Sequence, residues 1–133
     1  MSREKIETPN APRPAGAYSQ GIVAGGFLFT AGFGPQDPAT GKVVGGTIEA
    51  QTEQVMKNVA AVLAAHDLDF SHVVKATVHL QDLHRDFTGF NATYEKFLSD
   101  PYPVRTTVGS ALANILVEID VVAVTAEESR CSR

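Results

Sequence analysis

Two charged side chains interrupt apolar strand patterns near the C-terminal end of the sequence. Arg105 lies in PVRTTV at 103–108, and Glu118 lies in VEIDVVAV at 117–124. A charge inside an apolar strand is costly to bury unless it is paired or used. A guanidinium binds a carboxylate through two parallel hydrogen bonds, and a half-buried carboxylate can relay a proton through a water molecule. Arg105 and Glu118 could therefore bind a small carboxylic acid and add water to its adjacent carbon. A structural salt bridge between the two side chains explains the pair equally well.

Other polar side chains carry weaker signals. Tyr18 lies in a predicted strand, where a tyrosine is commonly a half-buried packing residue with its hydroxyl outward. Asn91 lies in a predicted helix between two aromatic positions, and its low helix propensity favours a hydrogen bond that anchors a loop. The four histidines lack the spacing of helical metal ligands, and the stretches around Gly32 and Gly41 do not match dinucleotide or phosphate loops. The residues therefore predict neither a metal nor an organic cofactor.

The composition is that of one soluble domain with a hydrophobic core. The chain has 133 residues, of which 44% are hydrophobic and 20% are charged. The net charge of −4 leaves no basic excess for nucleic acid. Cys131 is the single cysteine, which excludes an intramolecular disulfide and favours the cytoplasm. The start MSREKIETPN shows no signal-peptide pattern, and no apolar run reaches the roughly 20 residues of a membrane span.

The hydrophobic periodicity predicts the elements that position these residues. Thr47 is the predicted N-cap of the first helix, Asp67 is the predicted left-handed residue after it, and Gln51 and Asn58 are expected to face mostly away from the core. In chain order we expect an extended arm with little regular hydrogen bonding (1–16), a hairpin (17–23 and 27–33), a helix (48–66), a strand (73–80), a second helix (86–98), two strands within 103–124, and a polar tail (126–133).

The order β-β-α-β-α-β-β predicts an α+β fold in which two helices cover one face of a mixed sheet. The helices share a face because crossover connections are right-handed. The other face includes Val122, Val124 and part of the hairpin, and it would otherwise expose apolar side chains to water. A homo-oligomer whose subunits pack these open faces together is the economical solution, and charged residues on that face would then lie between subunits.

Five segments together carry a family resemblance, namely AYSQG (17–21), FTAGFGPQDPATG (29–41), FNATYEKF (90–97), PVRTTV (103–108) and VEIDVVAV (117–124). They resemble the RidA/YjgF family, whose members are also named endoribonuclease L-PSP. The resemblance covers residues 9–124 and implies a chorismate-mutase-like fold of the trimeric type. It also implies a homotrimer with a central barrel and intersubunit clefts, and hydrolysis of reactive enamines and imines such as 2-aminoacrylate to 2-keto acids without a cofactor.

The resemblance also implies roles for individual residues. Arg105 would bind the substrate carboxylate, and Glu118 would activate the attacking water. Tyr18 would come from the neighbouring subunit, and Asn91 would line the cleft. Backbone groups of Gly32 and Thr107 would help to hold the substrate.

Three positions of the implied pocket depart from the family pattern. The family's deaminases commonly have Ser where this chain has Ala31, often a polar residue in place of Phe33, and often Cys in place of Thr107. The pocket is therefore expected to be less polar and to prefer a different imine. Two alternatives stay open, namely a non-catalytic trimer that binds a small acid and an endoribonuclease or translation inhibitor. The negative net charge and the lack of an aromatic-basic patch count against the second alternative.

Overall fold

A six-stranded mixed sheet organises the chain in a computed structural model, which describes residues 2–125. The strand order is β1-β2-β3-β6-β4-β5, and among these neighbours only β4 and β5 are parallel. The predicted polar tail, with Cys131, lies outside the described residues. The strands are β1 (Glu4–Ile6), β2 (Gly21–Ala24), β3 (Phe27–Thr30), β4 (Val73–Leu80), β5 (Val104–Gly109) and β6 (Val117–Val124).

Two helices pack against each other and against the sheet. Helix α1 (Ile48–Ala64) begins after Thr47, whose hydroxyl accepts a hydrogen bond from the Ala50 amide, and Asp67 after it has a φ of 59°. Both features agree with the sequence prediction. Helix α2 (Leu83–Tyr94) begins three residues before its predicted start, because the Asp82 carboxylate caps it, and a 3₁₀ turn (Glu95–Phe97) completes the predicted length. The predicted α+β architecture, with two helices on one face of a mixed sheet, is confirmed.

The N-terminal arm contains a strand that the sequence analysis missed. Residues 4–6 pair antiparallel with β2, so the prediction of an arm with little regular hydrogen bonding was wrong for this part. The arm is fixed further by Gln20, which is 4% exposed and whose amide donates to the carbonyls of Thr8, Ala11 and Pro12. A three-residue edge strand forms through these tertiary contacts and carries no periodicity of its own.

Two polar residues of α1 face the interior, contrary to the prediction. Gln51 is 5% exposed, and its side chain donates to the Gly45 carbonyl and accepts from the Leu116 amide. Asn58 is 1% exposed and donates to two carbonyls of the 34–36 segment. Each side chain satisfies backbone groups that lie outside the helix, which makes its burial favourable.

The two faces of strand β6 differ, because one is buried against the helices and the other is open. Its alternate residues from Val117 to Ala123 are buried beneath the helices, as predicted, and the intervening residues are half-buried. On β4, the sequence alternation predicts Val74 on the buried face with Ala76, but Val74 is exposed because a bulge between Val73 and Lys75 shifts the alternation. The open face bears the exposed side chains of Phe29 and Val104. Within residues 2–125 no helix has the length and apolar character that crossing a membrane requires.

Candidate functional site

Glu118 lies on the open face of β6 and packs against the backbone of Gly32. A Cβ atom built on Gly32 would lie 2.6 Å from Oε2 of Glu118 and 3.0 Å from its Cδ, so glycine leaves the room that the carboxylate occupies. The half-buried carboxylate forms no ion pair with any described residue. It is therefore held by packing and is available to a ligand.

Tyr18 lies beside Glu118 in the same chain. It belongs to the loop before β2, and not to a strand as predicted, because β2 begins at Gly21. The residue is 52% exposed, and its hydroxyl accepts a hydrogen bond from the Ala15 amide at 2.9 Å. Tyr18, Ala31, Gly32 and Glu118 line one concavity, which we call the open-face hollow.

Phe33 follows this group and is 5% exposed. Its backbone exchanges two hydrogen bonds with Ile119, at 2.9 and 3.0 Å, so that the segment after β3 is pinned beside Glu118. The side chain joins the hydrophobic core and also contributes to the wall of a second cleft that reaches Glu118. The fold thus brings the predicted site residues of the hairpin region together around the carboxylate of Glu118.

Arg105 lies in a different environment, against an aromatic platform on α2. Its guanidinium carbon is 5.9, 5.3 and 5.0 Å from the ring centroids of Phe87, Phe90 and Tyr94. Cation–π contacts of this kind hold a guanidinium in place while its hydrogen-bond donors remain available. Among the described residues Arg105 has no carboxylate partner. Burial raises the pKa of Tyr94, and the positive charge of Arg105 opposes that rise.

Asn91 and Thr107 are on the Arg105 side. Asn91 is on α2, and its buried Oδ1 has no hydrogen-bond partner among the described residues, so the expected loop-anchoring bond is not formed there. Thr107 is half-buried and lies two residues beyond Arg105 on β5, on the same face. A buried amide oxygen without a partner can accept from a ligand donor or a water molecule.

The strand registers put Arg105 and Glu118 on opposite faces of the sheet. Ala76 of β4 is paired with Arg105 of β5 and with Val121 of β6, and both Ala76 and Val121 are buried on the helix side. Paired residues share a face and consecutive residues alternate, so Arg105 lies on the helix side and Glu118 on the open side. The structural salt bridge that the sequence allowed is not formed within one chain.

Asp120 is a second half-buried carboxylate on the open face. Burial raises its pKa, and the positive charges of His79 and Lys75 oppose that rise. His79 is paired with Glu118 across β4 and β6, and its Nδ1 lies 2.7 Å from the Ser110 hydroxyl. Within residues 2–125 no three His, Cys, Asp or Glu side chains form a group that could hold a metal ion.

Sequence reasoning missed the aromatic platform and the Gly32 contact. The aromatic residues of the platform have an i, i+3, i+7 spacing in the sequence, and that spacing was used only to place the second helix. The contact between Gly32 and Glu118 depends on a pairing across 86 positions of the chain, which no local pattern encodes.

Comparison with known proteins gives a consistent result. A family model described as Endoribonuclease L-PSP matches residues 8–125. A RutC family protein of Pyrococcus horikoshii is 42% identical over 123 residues, which cover 91% of this chain and 97% of that protein. Reactive Intermediate Deaminase A of Arabidopsis thaliana, a chloroplastic protein, is 40% identical over 125 residues, which cover 92% of this chain and 66% of that protein.

Solved structures show the same fold. RidA from an Antarctic Psychrobacter superposes with a TM-score of 0.86 at 35% identity, covering 91% of this chain and 98% of that one. TdcF of E. coli, solved with bound serine, superposes with a TM-score of 0.85 at 33% identity, covering 92% and 99% of the two chains. This chain therefore belongs to the RidA/YjgF family, the family whose model is named Endoribonuclease L-PSP.

Proposed function

We propose that this protein hydrolyses reactive enamines and imines of the 2-aminoacrylate type to 2-keto acids and ammonia. We further propose that each site lies between two subunits of a homotrimer, with Arg105 and Asn91 from one subunit and Tyr18, Gly32 and Glu118 from the next. A relative that is 40% identical and is named a reactive intermediate deaminase supports the reaction class.

The intersubunit site is supported mainly by one observation, which is that the sheet separates two charged side chains that have no ion-pair partner among the described residues. Arg105 lies on its aromatic platform on the helix side, and Glu118 lies in the open-face hollow. A three-carbon acid is too short to contact both through the sheet of one chain. Strand β5, which carries Arg105, is at the edge of the sheet. Two chains can therefore supply the two groups to one ligand when this edge of one subunit adjoins the open face of another.

The mechanism uses water and the side chains of this chain. An enamine substrate first gains a proton at C3 and loses one from nitrogen, which gives the imine. Arg105 binds the substrate carboxylate through two hydrogen bonds and so fixes the imine carbon. Glu118 accepts a proton from a water molecule as that water adds to the C=N carbon. The nitrogen takes up protons, the C–N bond of the resulting carbinolamine breaks, and ammonia leaves as the C=O bond of the 2-keto acid forms. The Asn91 amide oxygen is available to accept a hydrogen bond from the nitrogen.

Hydrolysis of 2-aminoacrylate generated in situ tests the reaction. We expect Arg105→Ala to abolish turnover with the oligomer intact, and Glu118→Gln to lower turnover more than it lowers binding of a 2-keto acid. Binding of 2-keto acids without turnover of any imine would instead favour a non-catalytic small-acid-binding trimer. The TdcF structure contains bound serine, and this observation favours testing small-acid binding separately from imine hydrolysis.

Mixing two inactive variants tests the intersubunit site. When Arg105→Ala and Glu118→Gln chains are unfolded together in equal amounts and refolded, about a quarter of the intersubunit sites should combine an intact Arg105 with an intact Glu118. We therefore expect about a quarter of the wild-type activity to return. Variants refolded separately and then mixed without unfolding are the control. No recovery after joint refolding would mean that both groups act from one chain.

A further inference from the structure

A second cleft extends from Glu118 towards the N-terminal arm, and we call it the arm cleft. It encloses about 840 Å³ between the arm and the loop that follows β3. Pockets of this size hold ligands much larger than a three-carbon acid. The walls include Arg13 from the arm, the polar side chains of Gln36 and Thr40 from the loop, and Glu118 from β6. The arm cleft therefore offers room beyond the reacting carbons of the proposed substrate.

Of the described residues that line the arm cleft, Arg13 is the only cation and Glu118 is the only anion. Within residues 2–125 Arg13 forms no ion pair. A guanidinium without a partner is suited to a carboxylate, which it binds through two parallel hydrogen bonds. An anionic group in the arm cleft would be attracted by Arg13 and repelled by Glu118.

The backbone that carries Arg13 is fixed. Pro12 and Pro14 flank Arg13 and restrict the backbone on both sides. The preceding residues are held by Gln20, whose buried amide donates to the carbonyls of Ala11 at 3.1 Å and Pro12 at 2.9 Å. A side chain that projects from such a fixed segment loses less entropy on binding than one from a mobile tail.

We propose that Arg13 makes the arm cleft a subsite for a distal carboxylate, so that the preferred substrates are 2-imino acids whose side chain ends in an acid. This inference rests on the proposed function and names its substrate class. The imine carbon would remain at Glu118, the 2-carboxylate at Arg105 of the adjoining subunit, and the distal carboxylate at Arg13. The same reaction follows, with water adding to C=N and ammonia leaving, and the product is a 2-keto dicarboxylic acid.

The test compares two ligands of similar length that differ in the distal acid. Binding of 2-ketoglutarate and 2-ketobutyrate is measured by calorimetry, and hydrolysis of the imines of glutamate and 2-aminobutyrate is measured with the imines generated by an amino acid oxidase. The readout is the ratio of the two affinities and the ratio of the two kcat/KM values. A charge-assisted hydrogen bond of the usual strength corresponds to a ratio change of about tenfold or more.

We expect Arg13→Met to lower both ratios about tenfold and Arg13→Lys to restore part of the loss. Arg3→Met is the matched control, because Arg3 is an exposed arginine of the same arm that does not line the arm cleft. Ratios that are equal in wild type and Arg13→Met would overturn this inference and leave the deaminase intact. No binding of either keto acid and no turnover of either imine by the wild type would overturn the inference together with the proposed function.

Discussion

Replacing Gly32 by alanine should displace the carboxylate of Glu118 while leaving the fold in place. The new Cβ would lie 2.6 Å from Oε2, 3.0 Å from Cδ and 3.2 Å from Cγ of Glu118. Carbon contacts are comfortable at about 3.5–4.0 Å, so the carboxylate has to move by about 1 Å. The moving atoms are the end of a flexible side chain, and the backbone around Gly32 need not follow.

The expected effects on stability and on activity therefore differ. Gly32 has a φ outside the left-handed region, so alanine brings no backbone strain there. The reduced entropy of the unfolded chain offsets part of the crowding, and we expect the free energy of unfolding to change by less than about 1 kcal/mol. A displacement of about 1 Å of a catalytic group lowers the rate by about 100-fold.

Urea denaturation and imine hydrolysis, measured on the same preparation, separate these effects. Gly46→Ala is the matched control, because a Cβ atom built on Gly46 would meet no described atom within 4 Å and the φ of Gly46 is also outside the left-handed region. We expect the control to retain full activity. Full activity of Gly32→Ala would refute the assigned role of Glu118. If Gly32→Ala instead lost activity only because it was less stable in urea, the expected difference between its effects on activity and on stability would be refuted.

Three further substitutions test other parts of the structure. Asn58→Ala leaves the carbonyls of Gly34 and Gln36 without their donor, and we expect the free energy of unfolding in urea to fall by about 2 kcal/mol; an unchanged midpoint would contradict this. Because burial raises the folded-state pKa of Asp120, its stabilising contribution is present below about pH 3.8 and is lost as the pH rises through the folded-state value. Asp120→Asn should accordingly unfold at a higher temperature than wild type at pH 7, and the difference should shrink as the pH approaches 3.8, whereas a difference that does not vary with pH would exclude this cause. Arg105→Lys keeps the charge but loses the planar fork, and we expect kcat/KM to fall about tenfold with an intact oligomer; unchanged kcat/KM would argue against two-point carboxylate binding.

The sequence predicted the elements whose periodicity is strong and missed those that depend on distant contacts. The alternation in β6 and the cap at Thr47 are local signals, and both predictions were confirmed. The start of α2 was wrong because the cap by Asp82 precedes the aromatic pattern that defined the predicted helix. The burial of Gln51 depends on the Leu116 amide, which is 65 residues away in the chain.

The candidate site was predictable as a set of residue types and not as an arrangement. Arg105 and Glu118 stood out because each is a charge in an apolar strand. The face on which each lies depends on the register of β5 and β6 against β4, and a shift of one residue would reverse it. For the same reason, the grouping of Tyr18 with Glu118 in one chain and of Asn91 with Arg105 on the other face emerged only from the fold.

This separation by the sheet has a physical consequence for the proposed enzyme. A guanidinium and a carboxylate that face one small cavity attract each other. A substrate acid would then have to break their ion pair before it could bind to the guanidinium. Placing Arg105 on the helix side and Glu118 on the open side prevents that pair in the isolated chain. Under the proposed function the two charges meet only across a subunit interface, with the substrate between them. Activity per chain should therefore fall on dilution in step with the loss of trimer measured by light scattering. Activity that persists in the monomer would show that one chain suffices.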